Sequence, residues 1–184
     1  LGNFVSTLTI INNDPSQDPF TFEVEGDGVV PQTDIMRGNS LDLDGIDDYI
    51  DCTLSLNNAV DNKTACTLEA WIKADNTNDE QVIFSNTTSG ISQGIELRIQ
   101  SGNIWLSYRD NNNTLYNSPA VSISANEWYH VAGILNSDSI GIFLNGNLSY
   151  NSINGTGISP SSNPFLIGGN NNFGSYNFGG SLDE

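Results

Sequence analysis

Asp42, Asp44, Asp47, Asp48 and Asp51 crowd around one Asp44-Gly45 turn. Hard cations such as Ca²⁺ take several oxygens from carboxylates and backbone carbonyls, and a bound cation would relieve the repulsion among these acids. The competing reading is a solvated turn in which Asp48 caps the backbone. No twelve-residue segment has the ligand order of an EF-hand loop. A second chemistry is carried by aromatic rings set among amides. Alternation over residues 104–109 puts Ile104, Leu106 and Tyr108 on one face and Trp105, Ser107 and Arg109 on the other. A tryptophan turned out of a sheet is a stacking platform for a sugar ring, unless a neighbouring loop packs over it. Glu96 and Arg98 take the outward phase of the preceding run. Tyr116, Tyr150, Phe173, Tyr176 and Phe178 lie in Asn/Gly-rich stretches suited to a rim. The candidate ligand contacts are therefore Trp105, Arg109, Glu96, Arg98 and Tyr176.

Catalytic chemistry fits poorly. Glycoside hydrolysis needs paired carboxylates, and no Glu-x-Asp-x-Glu triplet lies on any strand-like run; Glu69 and Glu96 are isolated acids. His130 is the sole histidine, and in its Trp-Tyr-His-Val-Ala run it reads as a buried, hydrogen-bonded structural residue. No serine or cysteine has a histidine nearby in sequence, and a Gly-x-Ser-x-Gly elbow is absent. The chain reads as a non-enzyme.

The elements that would position these residues are strands. Period-2 alternation recurs at residues 7–10, 20–24, 95–99 and 104–108, with shorter apolar runs at 140–144 and 165–167. Turn clusters separate them, and Asn145-Gly146 between two such runs is a clear hairpin signal. No window keeps a helical period. The expected fold is all-β, with antiparallel strands in two packed sheets. Cys52 and Cys66 each adjoin a strand-like run, and two readings stand: a disulfide in an oxidising compartment, or two buried free thiols.

Composition narrows the partners. Five basic residues face 22 acidic ones, a formal net charge of −17. That field repels nucleic acid and anionic membranes while tolerating divalent cations and neutral glycans. No apolar stretch is long enough to span a bilayer. The absence of a starting Met and of a leader is expected of an internal piece of a larger chain.

From Ser40 onward the order of motifs resembles the laminin-G-like family with the concanavalin-A-type jelly roll. The resemblance rests on residues 40–50 (SLDLDGIDDYI), 67–73 (TLEAWIK), 82–85 (VIFS), 94–97 (GIEL), 126–133 (NEWYHVAG), 142–146 (IFLNG), 165–169 (FLIGG) and 180–184 (GSLDE). It implies a jelly roll over residues 34–184, with Trp71 and Trp128 in core motifs. It also implies a structural calcium held by Asp44, the carbonyl of Gly45, Asp48 and Asp183, with Asp47 in reserve. Family members continue past the Asp-Glu pair with a final apolar strand, so the domain is expected to be cut before its last strand, leaving an unprotected edge. Residues 1–33 resemble the closing hairpin of an Ig-like repeat of bacterial surface and Hydin-type proteins, plus a linker. The expected function is a non-catalytic, extracellular carbohydrate-binding module. It would be monomeric within a larger bacterial chain and would take a neutral glycan. The alternative is a structural or adhesion spacer with no small ligand.

Overall fold

The computed structural model describes residues 2–10 and 20–28 as backbone, and residues 40–87, 91–171 and 176–183 with side chains. The chain divides into two units, Leu1–Gly38 and Asn39–Glu184. In the first, β1 (Gly2–Ile10) and β2 (Phe20–Gly28) pair antiparallel from Gly2 opposite Gly28 to Ile10 opposite Phe20. The hairpin read from the alternation of residues 7–10 and 20–24 forms. Phe173, one of the expected rim aromatics, lies outside the described residues.

The second unit is a two-sheet β-sandwich. Its strands are β3 (Leu41–Asp44), β4 (Ile50–Asp51), β5 (Cys66–Ala74), β6 (Gln81–Ser85), β7 (Ile95–Gln100) and β8 (Asn103–Arg109), followed by β9 (Leu115–Asn117) and β10 (Val121–Ser122). Then come β11 (Tyr129–Leu135), β12 (Ser139–Leu144), β13 (Asn147–Ser152), β14 (Leu166–Ile167) and β15 (Gly179–Asp183). One sheet runs β10-β8-β7-β6-β14-β4, with β9 also on β8; the other runs β13-β12-β11-β5-β15-β3. All these strand pairings are antiparallel. A 3₁₀ turn (Leu54–Leu56) and a one-turn helix α1 (Asn57–Val60) interrupt the strands. Among the described residues no helix is long and apolar enough to cross a membrane.

Alternation explains the core. Ile95, Leu97 and Ile99 of β7, Ile104, Leu106 and Tyr108 of β8, and Ile140 and Ile142 of β12 all turn inward and are essentially sealed from solvent. Two hairpins close in turns whose central residues both lie in the left-handed region: Asn145 at φ 49° with Gly146 at φ 82°, and Ser101 at φ 52° with Gly102 at φ 72°. Such turns match the right-handed twist of the strands they join.

Several expectations need correcting. Trp71 and Trp128 are not core residues; both are half-buried and absent from the core cluster. Trp71 falls in the outward phase of β5 and meets His130 across the sheet, ring centroids 5.3 Å apart. His130 is accordingly half-buried and not sealed. Phe178, expected on a loop rim, is fully buried, because it enters the core just before β15 begins. Tyr116 lies on β9, stacked on Tyr108 at 5.3 Å. Cys52 and Cys66 are both free thiols. Among the described residues β15 pairs with β5 from Trp71 to Ala74. An apolar cleft of about 500 Å³ is lined by Leu56, Cys66, Leu68, Phe84, Phe165 and Ile167 among others.

Candidate functional site

The outer face of the β8–β7–β6 sheet is built by register. Arg98 lies opposite Trp105 and Glu96 opposite Ser107, so the outward residues of β7 and β8 form one row of neighbours. The Arg98 guanidinium sits 4.9 Å from the Trp105 ring centroid, a cation–π contact on a half-buried indole. Its Nη1 also meets Glu80 Oε1 at 2.9 Å and Glu96 Oε1 at 3.4 Å. Gln100 Nε2 donates to the second oxygen of Glu80 at 3.2 Å. The hydroxyl of Ser107 donates to Asn117 Oδ1 at 2.6 Å. Trp105 and Arg98 thus stand side by side on this face, as the strand phase predicts.

Glu96 departs from expectation. It takes the outward phase but its side chain is only 2 % exposed, so it is no open contact. Its cross-strand neighbours Ser85 and Ser107 are themselves sealed, and Asn170, from the segment before β15, hydrogen-bonds its carboxyl. Burial pushes that carboxyl up to about 7; Arg98 and Asn170 pull it down, and the charge of Glu80 adds to the rise. Arg109 does not join the platform. Its Nε donates to the Ile91 carbonyl at 2.5 Å and its Nη1 to the Asn113 carbonyl at 2.9 Å, which pins two loops. Sequence reading missed Glu80 and Asn170. The β6–β7 hairpin, which sets Val82 opposite Arg98, is the signal that brings Glu80 near the guanidinium. Nothing local points to Asn170.

Tyr176 lies elsewhere, on an acidic cleft of about 360 Å³ shared with Asp44, Gly45, Asp75, Asp79 and Glu80. This cleft meets the Trp105 face only through Glu80.

At the Asp-Gly turn, carboxylate oxygens of Asp44, Asp47 and Asp48 lie within 4.8 Å of one another, all exposed. The Ile46 N–H donates to Asp44 Oδ1 at 2.8 Å and the Asp47 N–H to the same oxygen at 3.3 Å. These bonds, that of Ile46 first, hold the Asp44 carboxyl below the ordinary range. Asp48 caps the turn by accepting from the Asp44 N–H at 3.1 Å. Gly45 is required, since its φ is +73° and a Cβ there would meet Gly179 Cα at 3.1 Å. Asp183 does not belong to this set. Gly179 is the residue opposite Asp44, and Asp183 lies four residues further along β15, on the order of 13 Å away. Carboxylates and a turn carbonyl suit a hard cation, but with Asp47 in the place expected of Asp183.

The family described as the concanavalin A-like lectin/glucanases superfamily matches residues 44–184. By sequence, no curated protein is a significant match. Among solved structures, the CBM40 of Ruminococcus gnavus IT-sialidase, bound to α2,3-sialyllactose, superposes with a TM-score of 0.61 at 16 % identity, covering 79 % of this chain and 86 % of its own. The binding domain of botulinum neurotoxin serotype D gives 0.60 at 18 % identity over 83 % of this chain and 40 % of its own. Domains LG4-5 of mouse laminin α1 give 0.53 at 12 % identity over 78 % of this chain and 39 % of theirs. At these identities the likeness is one of fold.

Proposed function

The chain belongs to the concanavalin A-like lectin/glucanases superfamily, and on that premise we propose that its sandwich is a non-catalytic, extracellular module that binds a neutral glycan. The observation that carries this is the pairing of a half-buried, outward-facing Trp105 with a guanidinium already neutralised by Glu80 and Glu96. A stacking ring with surrounding amides and hydroxyls suits a sugar. A cation already held by two carboxylates has little left for an acidic one, which separates this face from a sialyllactose site. The same ion pairs argue against acid–base catalysis. Glu96 has the raised pKa of a general acid, yet its carboxyl is sealed from any substrate and tied to Arg98.

A calcium ion held by Asp44, Asp47, Asp48 and the Gly45 carbonyl would supply charge neutralisation to the turn, with a structural role. The N-terminal hairpin is read as the end of an Ig-like repeat, and the module as a monomeric part of a larger surface protein.

Titration calorimetry with neutral glucan, mannan and galactan oligosaccharides tests the binding face. Trp105→Ala should weaken binding by about 1–3 kcal/mol while leaving the fold intact. Unfolding of that variant, or unchanged affinity, would remove the platform. Calcium should raise the melting temperature of wild type and not of Asp44→Ala; equal values in calcium and chelator would remove the metal.

A further inference from the structure

The other sheet offers a second surface. On its outer face β12 places Gly141 and Phe143 outward, opposite Tyr150 and Leu148 of the edge strand β13. Leu148 is 49 % exposed and Tyr150 60 % exposed. Between these side chains lies a groove of about 350 Å³, with Asn136 and Ser139 at one end and no charged side chain in its lining. An exposed aromatic ring beside an amide and hydroxyls, with apolar side chains around them, is the lining of a neutral sugar site.

Gly141 lines the floor of the groove. Glycine inside a strand is unfavourable and marks a close approach of backbone or ligand. A Cβ there would meet the Ser149 carbonyl oxygen at 2.8 Å and Leu148 Cδ1 at 3.1 Å. An aromatic opposite a strand glycine commonly folds over it. Tyr150 Cβ lies 3.0 Å from that position, and with 60 % of the residue exposed its side chain forms an open wall of the groove.

We propose that this groove is a second saccharide site, taking a neutral pyranose ring stacked on Tyr150. Phe143 and Leu148 cover the apolar side of the sugar, and the Asn136 amide and Tyr150 hydroxyl meet its hydroxyls. The site does not depend on the Trp105 face, which lies on the opposite side of the sandwich.

Saturation-transfer NMR of the 184-residue chain with neutral glucan, mannan and galactan trisaccharides tests it. In Trp105→Ala protein, saturation should still reach a sugar. Adding Tyr150→Ala should weaken that contact at least about tenfold, equivalent to about 1.4 kcal/mol, while Tyr150→Phe, which keeps the stacking ring and loses only the hydroxyl contact, weakens it less. No signal in Trp105→Ala, or equal signal with and without Tyr150→Ala, overturns the groove. A Trp105→Ala effect of zero overturns the first platform instead. Sedimentation on the same proteins addresses self-association. A dimer dissolved by Tyr150→Ala would assign the groove to a second copy of the chain and overturn the sugar.

Discussion

The two outer faces of the sandwich solve the same problem in opposite ways. Each is the solvent side of an antiparallel sheet and carries residues in the outward phase. The face around Arg98 fills that phase with charge, then buries part of it under Asn170 and ties the rest into ion pairs. The face around Tyr150 uses uncharged and apolar side chains and leaves them open. Outward phase is therefore not the same as exposure. What decides exposure is whether a distant segment lies over the strand, and the energetic stakes differ accordingly.

The largest expected effect comes from removing the cation of the first face. Arg98→Met leaves Glu96 buried without its counter-charge and should destabilise the domain by about 3 kcal/mol at pH 8, and by less at pH 5, where Glu96 binds a proton. Urea unfolding at both values checks this; equal losses would mean that the Arg98–Glu96 contact is not felt. The pH profile of the wild type comes next. Glu96 titrates near 7 in the folded chain against an ordinary 4.5, so the folded state holds its proton more tightly. Its contribution is fully present below pH 4.5 and is lost as pH climbs through 7, up to roughly 3 kcal/mol. Glu96→Gln should flatten that part of the curve; if the two profiles run parallel, the carboxyl is not buried in solution. The smallest effect belongs to the second face. Leu148→Ser, at a side chain half in water, should stay within about 0.5 kcal/mol of wild type in thermal melts. A loss of several times that would show the groove closed by packing.

The fold was legible because alternation is a local signal. Ile104, Leu106 and Tyr108 face inward as the period requires, and Asn145-Gly146 turns where two strand runs meet. The site was legible only as far as adjacent strands reach. Arg98 beside Trp105 follows from neighbouring strands, but the sealing of Glu96 depends on Asn170, far along the chain, and no periodicity reports such a contact. Asp183 was placed at the turn by resemblance alone, and the pairing of Gly179 with Asp44 moves it along the strand. Trp71 and Tyr150 show the reverse error. The resemblance puts Trp71 in the core and its surroundings put Tyr150 on a loop, whereas the sheet register puts both on the outer face.

Cys66 gives the domain a native clock. Its thiol lines the apolar cleft there, and burial pushes it up to about 11. At pH 8 about one molecule in a thousand carries the thiolate, the form that attacks alkylating reagents. Reaction at this position is therefore slow while the thiol stays buried and accelerates when that end of the strand breathes away from Phe165 and Ile167. The labelling rate of one native cysteine then measures how often the sandwich opens at this corner, without any probe being introduced.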